Sequence, residues 1–313
     1  MNKIAALDLG SNTFLCLIAE FNDAGQYKVL EDQVRVVRLG QGMSQTKRFD
    51  PEALKRAKET LNEFKGLILK HQVSLVSAVA TAAARDAENK EELVQICDDL
   101  EIPMRIISGD EEARISFAGG VSGLKATNEP ILVIDCGGRS TEVVVGSSID
   151  AKKKIDFAKS LPLGGVQLSE TFIKKYPITD EQFSKMKSHI DQTIKQELSS
   201  FKSEWPKIAV AVAGAPTELA KATIGKWDPE RIDGFFLTQK ILTNWIEKFR
   251  TKTPSQIITE FGIDKGRADV ILAGTLVIRA VLEAFNLDGA GCSIRGIRYG
   301  ELLDFYQRQK GLK

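Results

Sequence analysis

Two stretches far apart in the chain repeat one pattern of apolar and polar positions. IAALDLGSNTFLCLIAEF (residues 4–21) can be laid over ILVIDCGGRSTEVVVGSS (residues 131–148) without a gap, which places Asp8 on Asp135. In each stretch an apolar run ends in an aspartate, a short turn containing glycine follows, and a second apolar run begins. This order is typical of a β-hairpin with an aspartate at its rim. Two copies at this separation predict two halves of similar fold.

The rest of the pattern predicts strands and helices in both halves. In the first half we predict strands at residues 4–9, 14–21, 26–38, 74–80 and 104–108, and helices at 51–70, at 89–100 and after Ser108. In the second half we predict strands at 131–135, 141–146, 152–160 and 207–213, and helices at 165–174, 180–202, from Pro216, 238–251, 254–261, 267–285 and 298–310. Each half therefore combines a hairpin-rich sheet with helices, which predicts an α/β protein. The segment 119–130, rich in Gly and Ser, is the predicted junction.

Composition narrows the functional classes. The 313 residues include 43 basic and 42 acidic side chains, for a net charge of +1, so neither a nucleic-acid nor a membrane partner is indicated. The four cysteines are widely spaced without a CxxC pair, which favours buried thiols in a reducing, cytoplasmic compartment. Only two histidines occur, without ligand spacing around either, which argues against a zinc site or a Ser–His triad. No apolar stretch approaches the ~20 residues that span a bilayer.

The two hairpin turns are candidate phosphate sites. Glycines let backbone N–H groups approach a ligand, and consecutive N–H groups in a turn bind anions. The residues available at the turns to bind phosphate through side chains or backbone N–H groups are Ser11, Asn12, Thr13, Gly137, Gly138, Arg139, Ser140 and Thr141. Asp8 and Asp135 would then sit where magnesium (Mg²⁺) could neutralise phosphate charge. One such turn alone is more simply an ordinary hairpin turn, but its repetition favours the functional interpretation.

A candidate general base follows from the segment ISGDEEARISFAGG (residues 107–120). Ser108 and Glu111 have the spacing of a capping box at a helix start, which gives Glu111 a structural role. Glu112 lies about 100° further round the helix and is not used by the cap. The alternative is that Glu112 only complements the helix dipole.

Three further residues have both a functional and a structural interpretation. Arg85 follows a run of small residues and could fork onto phosphate oxygens, or lie on the surface paired with Asp86 or Glu88. Gly214 opens a strand-to-helix turn whose free N–H groups could hold an anion, or it simply connects the two elements. Glu142 could reach a metal held by Asp135, or face solvent.

Taken together, these stretches resemble the exopolyphosphatase/guanosine pentaphosphate phosphatase family, of the actin-like ATPase and sugar kinase superfamily. Seven pieces carry the resemblance, in the family's order and over nearly the whole chain: ALDLGSNTF, ATAAARDAEN, ISGDEEARISFAGGV, VIDCGGRSTEV, SLPLGGVQLSE, AVAGAPTELA and SIRGIRYGELLD. Each motif is weak alone, but seven in order are specific.

The resemblance implies two ribonuclease-H-like domains with an active-site cleft between them. We place the domains at residues 1–125 and 126–313, with the C-terminal helix (299–313) able to pack back on the first. The implied reaction is hydrolysis of a terminal phosphoanhydride bond, in polyphosphate or guanosine pentaphosphate, by a magnesium-dependent homodimer. The resemblance also implies that Glu112 is the general base, that Asp135 and Glu142 are metal-linked acids, and that Arg85 is a cleft arginine.

Two departures from the family pattern bear on the substrate. Arg139 stands where the family's turn has a third glycine, and Gln167 stands where an arginine is usual after SLPLGG. If the turn needs a positive φ at that position, Arg139 is strained. A sensor that binds a nucleotide or alarmone with little turnover, because Arg139 fills the phosphate turn, is an alternative, and a kinase of the same superfamily is a weaker one.

Overall fold

The computed structural model describes residues 2–149 and 152–311 and divides the chain into two compact units. Unit 1 comprises Met1–Ile115 and Ile297–Lys313, and unit 2 comprises Ser116–Gly296. The sequence had placed the division at residues 125/126; here unit 2 starts within the helix that carries Glu112, and the whole C-terminal helix belongs to unit 1.

Unit 1 is built on a five-stranded sheet of order β3-β2-β1-β4-β5. Its strands are β1 (Asn2–Leu9), β2 (Thr13–Phe21), β3 (Tyr27–Val36), β4 (Leu75–Ala80) and β5 (Met104–Ile106). Its helices are α1 (Met43–Thr46), α2 (Pro51–Lys70), α3 (Ala82–Asp86), α4 (Lys90–Asp99), α5 (Gly109–Gly120, whose last residues belong to unit 2) and α13 (Ile297–Gln309). The β1–β2–β3 strands are antiparallel, whereas β1, β4 and β5 run parallel.

Unit 2 has a six-stranded sheet of order β10-β11-β9-β6-β7-β8. Its strands are β6 (Thr127–Cys136), β7 (Thr141–Ile149), β8 (Lys152–Leu161), β9 (Ile208–Val212), β10 (Phe236–Thr238) and β11 (Gly289–Cys292). Its helices are α6 (Gly165–Phe172), α7 (Asp180–Glu197, followed by a 3₁₀ turn at Leu198–Ser200), α8 (Gly214–Ile224), α9 (Pro229–Ile232), α10 (Gln239–Arg250), α11 (Pro254–Phe261) and α12 (Ile271–Ala284).

The two sheets share one topology. The order β3-β2-β1-β4-β5 of unit 1 recurs in unit 2 as β8-β7-β6-β9-β11, with the same antiparallel hairpins and the same parallel strands. Strand β10 is an addition at the edge next to β11. The prediction of two halves of similar α/β fold is therefore confirmed.

Local sequence explains the regular helices. In α2, the carboxylate of Asp50 accepts hydrogen bonds from the N–H groups of Glu52 (2.9 Å) and Ala53 (3.3 Å), and Pro51 occupies the first helical position. The buried side chains repeat at helical spacing, and five of them form one face in the core cluster of unit 1: Leu54, Ala57, Leu61, Phe64 and Ile68. The predicted helix at 51–70 is confirmed residue for residue.

Two strands, β10 and β11, were not predicted from the sequence. The last third of the chain was predicted to be mostly helical, but β10 and β11 lie there. The segment Gly289–Cys292 contains no β-branched residue and is too short to alternate, yet its N–H and C=O groups pair with β9 on one side and β10 on the other. Tertiary pairing, not local propensity, makes it a strand.

The cysteines agree with the expectation of buried thiols. Cys16, Cys97, Cys136 and Cys292 are free and buried. Within the described residues, no helix combines the length and the apolar character that crossing a membrane requires.

Candidate active site

The two hairpin turns are closed by equivalent hydrogen bonds. The N–H of Gly10 donates to Thr13 O (3.1 Å) in the β1–β2 turn, and the N–H of Gly137 donates to Ser140 O (2.9 Å) in the β6–β7 turn. A Cβ added at Gly10 would lie 2.9 Å from Thr13 O, and one added at Gly137 would lie 3.2 Å from Ser140 O. Both positions are therefore glycine because the turn folds back on itself at that point.

The β1–β2 turn is held from the side by the segment after β3. Ser11 O accepts from Gly40 N (2.7 Å), and Asn12 O accepts from Val37 N (3.0 Å) and Arg38 N (2.9 Å). Arg38 has a φ of 56°, a left-handed conformation that a non-glycine residue rarely adopts. The carbonyls of Ser11 and Asn12 are thus used for support, and the binding of phosphate by Ser11, Asn12 and Thr13 stays a prediction.

The β6–β7 turn is supported by the start of α6. Gly137 O accepts from Gly165 N (2.9 Å), and Gly138 O accepts from Val166 N (2.9 Å) and Gln167 N (3.1 Å). The first N–H groups of α6 are therefore already bonded to protein carbonyls. Gln167, which replaces the family's usual arginine, contributes its backbone to this support.

Arg139 lies at the tip of this turn and is buried, with 5% of its surface exposed. It is absent from the residues with positive φ, so the expected backbone strain at Arg139 is wrong. The backbone of Arg139 packs directly against Gly164: a Cβ added at Gly164 would lie 2.2 Å from the Cα of Arg139, so residue 164 must be glycine for the two segments to approach this closely. That Arg139 contacts a substrate phosphate stays a prediction.

Glu112 and Arg85 meet in unit 1. The Nη1 of Arg85 donates to Oε2 of Glu112 (2.6 Å) and to Ile107 O (2.9 Å), and Glu112 is only 4% exposed. Arg85 is therefore a partly buried residue paired with Glu112, which does not agree with the alternative of a surface arginine. A carboxylate this buried beside a guanidinium is held in one orientation, as a general base must be.

The predicted capping box is formed on one side. The N–H of Glu111 donates to Oγ of Ser108 (3.2 Å), as expected. The carboxylate of Glu111, assigned by that motif to the backbone of Ser108, pairs with Arg105 on β5. Arg105 was not noticed in the sequence because a lone arginine in a short strand carries no motif.

Asp135 and Glu142 face each other across the β6–β7 hairpin. They are direct cross-strand partners, in the same register as Asp8 and Leu15 of the first repeat. Both are buried, and each accepts a serine hydroxyl: Asp135 from Ser116 on α5, and Glu142 from Ser160 (2.8 Å). Burial raises the pKa of Asp135 to about 6, and the hydrogen bond from Ser116 opposes this rise.

This pair has the chemistry of a magnesium site. Opposed carboxylates repel each other across a hairpin unless a cation or a proton relieves them. Magnesium is commonly held by one or two protein carboxylates, with water and phosphate oxygens completing its shell. No group of three or more His, Cys, Asp or Glu side chains able to hold a metal is found among residues 2–149 and 152–311. That Asp8 also serves the ion stays a prediction.

The guanidinium of Arg267, which was not predicted from the sequence, lies against Gly214. A Cβ added at Gly214 would lie 1.1 Å from Nη1 of Arg267, so this glycine leaves the room that the guanidinium occupies. The preceding residue, Ala213, has a φ of 78°, and strain of this kind clusters at functional sites. Arg267 lies in GRADV just before α12, where the sequence offered an isolated arginine and no motif.

In each unit the candidate residues collect at one edge of the sheet. In unit 1, Asp8 ends β1, Arg85 follows β4 and Glu112 follows β5, and these strands are parallel. In unit 2, Asp135 ends β6 and Gly214 follows its parallel neighbour β9. The carboxyl ends of parallel strands are where open α/β sheets bind ligands.

Comparison with known proteins gives one consistent result. A family model described as the Ppx/GppA phosphatase family matches residues 17–309. Exopolyphosphatase 2 of Mycobacterium tuberculosis is 29% identical over 315 residues, covering 97% of this chain and 97% of that protein. A bifunctional 3-dehydroquinate synthase/phosphatase of Fusobacterium nucleatum is 30% identical over 91% of this chain, which spans only 44% of that longer protein.

A solved structure extends the similarity to the fold. The crystal structure of an exopolyphosphatase-like protein has a TM-score of 0.91 and 30% identity, covering 98% of this chain and 99% of that one. The similarity therefore includes the residues of unit 1 and those of unit 2.

Proposed function

The chain belongs to the Ppx/GppA phosphatase family, and we propose that it hydrolyses the terminal phosphoanhydride bond of inorganic polyphosphate and releases orthophosphate. Guanosine pentaphosphate is the second candidate substrate. The observation that carries the proposal is the buried Glu112 in the first turn of α5, fixed by Arg85 at 2.6 Å. Exopolyphosphatases among the similar proteins support the same substrate class.

Glu112 takes the proton in this proposal. Water attacks the terminal phosphorus, the bond from that phosphorus to the bridging oxygen breaks, and the shortened chain leaves with that oxygen. The proton lost by the water goes to the carboxylate of Glu112. Because Arg85 fixes Oε2, the base is oriented before the substrate arrives, and positioning of this kind supplies much of the rate in phosphoryl transfer.

The turns and arginines neutralise charge. Arg139 at the tip of the β6–β7 turn and Arg85 in unit 1 are permanently charged and offer planar forks to phosphate oxygens. The residues proposed to bind phosphate are Ser11, Asn12, Thr13, Arg85, Gly137, Gly138, Arg139, Ser140 and Gly214. A magnesium ion held by Asp135 and Glu142 would lower the charge of the phosphate oxygens at the reacting end.

The sensor hypothesis is less well supported. It requires that Arg139 fill the phosphate turn and suppress turnover, and the exopolyphosphatases among the similar proteins do not favour it. A homodimer and a cytoplasmic location complete the proposal; the first rests on family resemblance alone, and the second on the use of free, buried cysteines.

The direct test is phosphate release from polyphosphate and from guanosine pentaphosphate, measured side by side with Mg²⁺ present. We expect turnover of at least one of them by the unaltered chain, and faster turnover of polyphosphate. Tight binding of either compound without any phosphate release would support the sensor instead.

A further inference from the structure

A fully buried carboxylate in the C-terminal helix takes no part in the proposed chemistry. Glu301 on α13 is 0% exposed and accepts hydrogen bonds from Ser77 Oγ (2.6 Å), Arg105 Nη2 (2.8 Å) and Arg308 Nη2 (2.7 Å). Ser77 lies on β4 and Arg105 on β5, so one carboxylate of α13 gathers donors from two strands of unit 1 and from its own helix.

Stability alone does not explain this arrangement. Removing a carboxylate from water is costly, and well-packed apolar residues of similar volume are often at least as stabilising as a buried ion pair. Such pairs are better suited to fixing one geometry, since each partner satisfies the other only in a narrow range of positions. The question is which geometry Glu301 fixes.

Arg105 gives the answer because its guanidinium binds two carboxylates. Nη2 holds Glu301, and Nη1 holds Oε1 of Glu111. Glu111 immediately precedes Glu112 in the first turn of α5. The turn is therefore held on both sides: Arg85 holds Glu112, and Arg105 holds its neighbour.

We propose that Arg105, anchored by Glu301, is a positioning residue that fixes the rotation of the first turn of α5 and so aims the carboxylate of Glu112. This inference rests on the proposed role of Glu112 as general base. Neighbouring residues on a helix are 100° apart, so holding Glu111 in place also fixes the direction in which Glu112 leaves the helix. A displacement of about 1 Å at a reacting group can cost on the order of 100-fold in rate.

The chain contains a matched control for this role. Arg114 Nη1 on the same helix α5 pairs with Asp304 of α13 at 2.8 Å, so it also joins these two helices through a buried carboxylate. Arg114 and Arg105 are similarly exposed, at 42% and 33% of their side chains. Only Arg105 touches Glu111.

The experiment compares Arg105→Gln with Arg114→Gln in the full chain. Arg105→Gln leaves Glu301 with another donor, and Arg114→Gln leaves Asp304 with another donor, because Arg308 pairs with both carboxylates. We expect Arg105→Gln to lower kcat about tenfold with KM changed less than about twofold, because an aimed base acts on the transition state and not on substrate binding. Arg114→Gln should lower kcat less than about twofold. Equal kcat values for the two variants would overturn the proposal.

A second measurement does not depend on activity. Amide hydrogen exchange in residues 109–113 should be faster in Arg105→Gln than in Arg114→Gln, because only the first variant releases that turn. Equal exchange in residues 109–113 of the two variants would overturn the positioning proposal, whether or not the unaltered chain hydrolyses either substrate. Failure of the unaltered chain to hydrolyse either substrate is a separate result, and it would refute the proposed function. Should Arg105→Gln fail to fold, Arg105→Lys supplies the same comparison; its single ammonium cannot span both carboxylates as the fork does, so faster exchange is expected there too.

Discussion

At the scale of single residues, the proposed chemistry depends on the buried pair of Glu112 and Arg85. The position of Glu112 follows from the capping motif, because Ser108 and Glu111 define the helix start. Its bond to Arg85 could not be predicted, since the two residues lie 27 positions apart in the sequence, on α3 and α5. The same holds for Ser116 and Asp135, which are distant in sequence and joined by one hydrogen bond.

Glu112→Gln tests the base directly. We expect kcat to fall at least ~100-fold, the usual contribution of a general base, because the amide cannot accept the proton. Binding of a non-hydrolysable phosphate analogue and the melting temperature should change little, since the amide still accepts the hydrogen bond from Arg85. Phosphate release and calorimetry measure the two.

Asp110→Asn is the control for this variant. It removes the same charge from the same helix turn, but at an exposed side chain. If Glu112 only complemented the helix dipole, both substitutions would have similar small effects. Near-normal turnover of Glu112→Gln would show that the base lies elsewhere.

Asp135→Asn tests the magnesium site. Removing one of two opposed carboxylates should raise the Mg²⁺ concentration needed for half-maximal activity about tenfold or more, and should reduce Mg²⁺-dependent thermal stabilisation. Asp156→Asn, an exposed aspartate on β8, is the control and should leave both unchanged. Full activity in excess chelator would count against any role of the ion.

At the scale of elements, the hairpins were the most predictable part of the site. The aligned repeat anticipates the register, since Asp8 opposes Leu15 just as Asp135 opposes Glu142. The short parallel strand β11 was missed because its pairing comes from distant segments and its composition favours no strand. The turn around Arg139 was expected to be strained because the sequence does not show the sign of φ at that position, which is not positive in the structure.

Arg139→Gly tests what the turn residue contributes. We expect weaker binding of polyphosphate by ~1.5–3 kcal/mol, the cost of a lost charged hydrogen bond. Because the backbone of Arg139 has an ordinary φ, relief of strain should not compensate for this loss. Isothermal calorimetry with the Glu112→Gln background measures binding without turnover. Increased turnover in Arg139→Gly would favour the sensor hypothesis.

At the scale of the whole molecule, the sequence predicted two similar halves but not which residues complete each one. The helix α13 comes last in the chain, yet it completes unit 1. Its apolar face packs on β1 and β2 through Tyr299 and Leu302, and Tyr306 stacks on Phe21 with ring centroids 4.0 Å apart. Amphipathic patterning shows that such a helix has an apolar face, but not which sheet that face will cover.

Truncation after Gly296 tests this division. Losing α13 uncovers several large side chains of unit 1, each worth ~1.5–3 kcal/mol when buried, which is a large part of a usual domain stability of about 5–15 kcal/mol. We therefore expect amide exchange protection of β1, β2 and β4 to be lost. All three tryptophans, Trp205, Trp227 and Trp245, lie in unit 2, so the fluorescence-detected unfolding transition should persist and shift by less than about 5 °C. Truncation after Gln309, which keeps all of α13, should preserve both signals. Joint loss of the tryptophan transition and of the unit 1 protection would mean that unit 2 does not fold without the C-terminal helix.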